Sequence, residues 1–108
     1  MRYEVRIHPA ALADAEQYVA FIRAQEFEPY AAARWYDGLT EAILSLDSIP
    51  GKCTVIPEQD SFNIELRHFH YHSHRIIFHI DQKAGLVHVL RVYHGARDAL
   101  QSDQVEAP

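Results

Sequence analysis

"HRIIFHIDQKAGLVHVLRVYH", residues 74–94, consists of two apolar, β-branched and aromatic runs around the short polar segment Asp81–Gly85. Runs of that composition favour strands, and a turn-forming segment ending in glycine between them reads as a hairpin. Working back, "NIELRHF" (63–69) is a third such run, and the polar tip at His72 and Ser73 separates it from the second. Three strands joined by short turns make an antiparallel meander with one face in need of cover.

The rest of the chain supplies that cover. "RYEVRIH" (2–8) alternates, Tyr3, Val5 and Ile7 against Arg2, Glu4 and Arg6, as a half-buried strand does. Pro9 suits a first helical turn, and Leu12, Ala15, Val19 and Ile22 then recur at three or four residues. After Pro29 a second helical pattern runs from about residue 30 to 47. Its apolar stripe is Ala32, Trp35 or Tyr36, Leu39, Ala42 or Ile43, and Leu46, and Ile49-Pro50-Gly51 stops it. "GKCTVIPEQDSF" (51–62) reads as a connecting loop. The order strand, helix, helix, three strands gives a two-layer α+β domain, with a helical hairpin on one face of the sheet. The first strand, cut off by the helices, is expected to pair with a neighbour remote in sequence. One domain is expected over residues 1–100, with 101–108 a flexible, acidic tail.

The chain has 108 residues, 48% of them hydrophobic, enough for a core without staples. Its net charge of −5 argues against a protein that holds nucleic acid through many phosphates. Cys53, the single cysteine, has no internal disulfide partner, and the start "MRYEVRIHP" is too polar for an export signal. A cytoplasmic protein without membrane contact is expected.

Eight histidines draw attention to the hairpin, where His68, His70, His72 and His74 stand at every second position. On one straight strand they would lie about 7 Å apart. That is too far for successive residues to share a zinc with bonds of about 2 Å. A turn at 71–73 would bring His70 opposite His74, but a third and fourth ligand are not evident. The reading is a polar, imidazole-rich hairpin, with no metal and no cofactor.

Six pieces in this order resemble the RelE/ParE superfamily of bacterial toxins: "YEVRIHPAALADAEQYVAFI", "AARWYDGLTEAILSLDSIPG", "PE" at Pro57-Glu58, "LRHF", "HRIIFHID" and "VLRVYHGARD". The last, an apolar strand ending in histidine followed by a small residue and Arg-Asp, looks like the ParE branch. The resemblance implies a toxin of a type II toxin–antitoxin module that inhibits DNA gyrase by protein contact. It further implies a cognate ParD-like antitoxin as partner, with operator DNA reached only through that antitoxin. Arg67, Arg75, His94 and Arg97 are then the candidates for the target-binding surface.

The alternative is a ribosome-dependent mRNA endoribonuclease of the RelE or YoeB kind. RelE-like patterns carry lysines just ahead of the "LR", where this chain has Asn63 and Glu65, and a C-terminal tyrosine, absent here after Tyr93. The YoeB-like pattern of glutamate base, strand arginine and strand-end histidine would fall on Glu58, Arg75 and His94. A third reading is a non-toxic relative kept for antitoxin binding. The plainer role for Arg67 and Arg75 is to pair with Glu65 and Glu58. Arg97-Asp98 could be a local ion pair, and Trp35 and Tyr36 read as core.

Overall fold

The computed structural model describes residues 2–25, 28–95, 97 and 99–108. Strand β1 (Glu4–Ile7) leads into helix α1 (Pro9–Gln25), which is followed by α2 (Ala31–Leu44) and a 3-10 turn at Ser45–Asp47. The sheet continues with β2 (Thr54–Val55), β3 (Arg67–Tyr71), β4 (His74–Asp81) and β5 (Leu86–His94). Five strands form one mixed sheet in the order β1-β5-β4-β3-β2. The meander β3-β4-β5 is antiparallel, and β1 joins its far edge parallel to β5, Glu4 opposite Leu86. That is the expected two-layer α+β arrangement, and β5 is the remote partner of β1.

The helices cover one face. Ala11, Ala15, Leu39, Ile43 and Leu46 close over Ile76, Phe78, Val87, Val89 and Val92, with Tyr3, Val5 and Trp35 at the margins. The buried stripe of α1 is Ala11, Ala15 and Ile22, whereas Leu12 is 41% exposed. Small alanines let the helix sit close to the sheet, which turns the larger Leu12 outward. On α2 Trp35 takes the half-buried place, and Tyr36 is exposed.

The outer face has its own core: Ile56, Leu66, Ile77, Leu90, Tyr93 and Leu100, flanked by Phe62, Ile64 and Val105. The connector after α2 is more structured than a plain loop, with 3-10 turns at Pro50–Lys52 and Gln59–Ser61 on either side of β2. Gln59 clamps it, its Nε2 donating to Ile64 O and its Oε1 accepting from Leu66 N–H, both at 2.7 Å. Because of this clamp Asn63–Leu66 is not strand, and β3 begins only at Arg67. At the other end, the segment expected to fray contains a 3-10 turn at Ser102–Gln104, and Val105 touches the outer core.

Two turns set the register. His72 and Ser73 form the tip between β3 and β4, with His72 at φ 49°, so Tyr71 faces His74 and His70 faces Arg75. The expected apposition of His70 and His74 is therefore replaced by a one-residue offset, which sends His74 to the helix face and His68 and His70 to the outer face. Between β4 and β5, Gly85 adopts φ 68° and Asp81 Oδ1 accepts from Ala84 N–H at 3.1 Å. A Cβ in that left-handed conformation costs about 1 kcal/mol. Gly85→Ala is accordingly expected to lower the urea-unfolding free energy by about 1 kcal/mol at unchanged m-value; no loss would remove the strain argument. None of the helices among the described residues is long and apolar enough to cross a membrane.

Candidate functional site

The residues singled out from the sequence divide between the two faces. On the outer face, Arg75 Nη1 and Nη2 donate to Glu58 Oε2 and Oε1 at 2.8 and 2.7 Å, a fork-to-fork ion pair with each side chain 11% exposed. Arg75 Nε donates to His68 Nδ1 at 3.0 Å, and Leu100 N–H donates to Glu58 Oε2 at 2.9 Å. The Arg75 guanidinium, chiefly by hydrogen bonding, holds the Glu58 carboxyl down at about 2. Burial, reinforced by the same guanidinium, lowers the pKa of His68. Both residues thus serve one another and pin the start of the C-terminal segment.

Arg67 is also occupied. Its Nε donates to Glu65 Oε1 at 3.0 Å, and its Nη1 donates to the carbonyls of Gly51 and Cys53, tying β3 to the connector. The pairings with Glu65 and Glu58 expected as the plainer role are therefore present. His68 and His70 sit side by side on the outer face with ring centroids 5.2 Å apart. No group of three or more His, Cys, Asp or Glu side chains among the described residues is placed to hold a metal ion.

His94 lies on the other face. It stands opposite His74 across β4 and β5, with ring centroids 4.7 Å apart, and 6.0 Å from Tyr18 of α1. The trio Glu58, Arg75 and His94 is thus not one cluster: two members meet under the C-terminal segment and the third faces α1. His94 and Arg97 instead border a cleft of about 380 Å³. Asp14, Gln17, Tyr18 and Phe21, one face of α1, form its first wall; His74 and Val92 join His94 and Arg97 in the second. Arg97 lies over the Tyr93 ring, 5.2 Å from its centroid. Its expected partner Asp98 is outside the described residues.

Two members of this cleft were not site candidates from the sequence: His74, read there as part of a polar hairpin, and Asp14. His74 is 3% exposed, held among Tyr18, Trp35 and His94, and its Nδ1 has no hydrogen-bond partner among the described residues. Burial, and secondarily His94, pushes its pKa down to about 4. Asp14 receives Arg91 Nε and Nη2 at 2.7 and 2.8 Å and Val92 N–H at 2.9 Å, taking up the β5 edge where β1 has ended. A β-bulge makes this possible: Ile77 pairs with Arg91 and Phe78 with Val89, leaving Leu90 extra and turning Arg91 toward α1. The Asp14 hydrogen bonds in turn raise the pKa of Arg91. The signals were there in part, since His74 shares its alternation with Ile76 and Phe78, and Asp14 interrupts an alanine stripe.

Comparison with solved structures places the same architecture in toxin–antitoxin complexes. The chromosomal ParDE system of P. aeruginosa aligns with a TM-score of 0.70 at 13% identity, over 86% of this chain and 96% of that one. The RelBE2 complex of Mycobacterium tuberculosis gives 0.59 at 18% identity, over 87% and 99%. The archaeal RelE–RelB complex of Pyrococcus horikoshii gives 0.56 at 17%, over 91% and 100%. At these identities the likeness is one of fold. No curated protein matches by sequence. The family model of the ParE toxin of type II toxin–antitoxin systems matches residues 5–99, which span the sheet, both helices and the cleft. This chain belongs to the ParE toxin family of type II toxin–antitoxin systems.

Proposed function

We propose that this toxin inhibits DNA gyrase by protein contact in the cytoplasm, without a cofactor, and is neutralised by a cognate ParD-like antitoxin that also carries the link to operator DNA. The structural neighbours come from toxin–antitoxin systems and complexes, which supports the antitoxin partner. One observation favours contact over RNA cleavage: Glu58 is closed on Arg75 and on Leu100 N–H, away from His94. A general base must be free to take a hydroxyl proton, with a pKa near the working pH. A carboxyl held at about 2 by two guanidinium bonds is a poor one.

Of the four surface candidates, Arg67 and Arg75 brace the fold, and the active surface contracts to His94 and Arg97. Purified toxin should block supercoiling by gyrase, and in cells thymidine incorporation should fall before amino-acid incorporation. Arg97→Ala is expected to weaken gyrase inhibition roughly 30-fold, the size of a 2 kcal/mol interface anchor. Early loss of translation, with cleaved mRNA ends mapped by primer extension, would replace this reading with the nuclease one. No effect on either synthesis would leave a non-toxic relative.

A further inference from the structure

Among the described residues, charge in the α1–β5 cleft runs against that of the molecule. The chain carries −5, yet Asp14, the one carboxylate lining the cleft among the described residues, is neutralised by the Arg91 fork and by Val92 N–H. Among the described residues, what remains facing the opening is the exposed, cationic Arg97, with the His94 ring beside it. Part of the α1 wall is aromatic and open to water: Phe21 is 55% exposed and stacks on Tyr18 with centroids 5.6 Å apart. Below them lies the His74 imidazole, almost wholly buried, with its Nδ1 unpartnered among the described residues. A buried polar nitrogen without a partner is unfavourable, and an incoming group that supplies the missing hydrogen bond recovers that loss.

We propose that this cleft anchors an acidic side chain adjoining an aromatic one on a polypeptide partner. The carboxylate lies between the Arg97 guanidinium and His74 Nδ1–H, in the tautomer that carries its proton there, and the aromatic ring covers Phe21 and Tyr18. A carboxylate fits better than a phosphate because, among the described residues, no lysine and only one arginine line the cleft. A nucleic acid, which needs several cations along its backbone, fits worse still. The volume of about 380 Å³ is that of a pocket for one or two side chains. Asp14 matters through its occupation by Arg91: left unpaired, it would repel the anion. This inference rests on the reading of the protein as one that acts through polypeptide contacts.

The test uses the full-length protein and three blocked dipeptides, N-acetyl-Asp-Phe-amide, N-acetyl-Asn-Phe-amide and N-acetyl-Asp-Ala-amide, with AMP as a fourth probe. Backbone amide and imidazole resonances are followed by NMR during titration. The Asp-Phe peptide should shift residues 14–21, His74 and 92–97, with an affinity at least about 5-fold above either of the other two peptides. Arg97→Gln, at an exposed position that leaves the core intact, should erase the preference for Asp over Asn. His74→Phe should remove the shift at the cleft floor while Phe21 still responds. Equal binding of Asp-Phe and Asn-Phe, shifts confined to another surface, or tighter binding of AMP would each overturn the proposal. The titration needs neither gyrase nor cells. Peptide binding without gyrase inhibition would therefore change the target and keep the pocket, and gyrase inhibition without peptide binding would do the reverse.

Discussion

Glu58→Ala is expected to destabilise the protein by about 3 kcal/mol, moving the thermal midpoint down by about 10–20 °C. Removing one member of a buried ion pair costs more than the pair contributed, because the survivor stays behind in a poor solvent. Here Arg75, 11% exposed, would lose both its fork partners and keep only His68, and Leu100 N–H would lose its acceptor. Glu58→Gln keeps the shape but not the charge and should fall between the two. Guanidinium unfolding with the native m-value decides the matter, and a loss under about 1 kcal/mol would return Glu58 to the list of free, functional carboxylates. The same pair shapes the acid limb of stability. The folded carboxyl titrates near 2 and the unfolded one near 4.5, so the unfolded state binds the extra proton in that window. The stabilisation is complete above about 4.5 and is lost as the pH falls toward 2.

His74 acts earlier on the same descent. Its folded pKa of about 4 lies below the ordinary 6.5, because a cation there would be buried among Tyr18, Trp35 and His94. Between those values the unfolded chain takes up a proton that the folded chain refuses, and stability falls as pH is lowered from 6.5 to 4. The full difference is up to about 3 kcal/mol at about 1.4 kcal/mol per unit. His74→Phe keeps an aromatic ring at that place and has nothing to protonate. Wild type should lose about 2 kcal/mol more than the variant between pH 7 and pH 5, measured by guanidinium unfolding at both. Parallel losses would mean that His74 is not the proton acceptor. His68 and His88, whose pKa values are also lowered by burial, contribute to both proteins alike and drop out of the difference.

The meander was legible because alternation and the Asp81–Gly85 turn are local signals, and both helices were legible from their spacing. The pairing of β1 with β5 follows from no local pattern; only the isolation of the first strand hinted at a distant partner. The face of α1 was misjudged by one residue, since Leu12 is more apolar than Ala11 while closeness of packing selects the smaller side chain. At the site, the ion pairs of Arg67 and Arg75 could be anticipated from nearby carboxylates. The cleft could not, because it depends on the offset of the 72–73 turn and on the bulge at Leu90. Neither leaves a mark in hydrophobic periodicity.

The parallel seam between β1 and β5 also has a consequence in time. Residue 4 must wait for residue 86, so the sheet cannot close before β5 has been made. Such long-range pairings form late, and the segments that depend on them stay unsatisfied until then. On the ribosome, α1 and β1 emerge first, with their apolar stripe facing nothing. The cleft takes shape only after β5 has been made and has paired, because β5 supplies His94 and Val92 to one of its walls. A copy cut short before β5 therefore lacks most of one wall of the cleft.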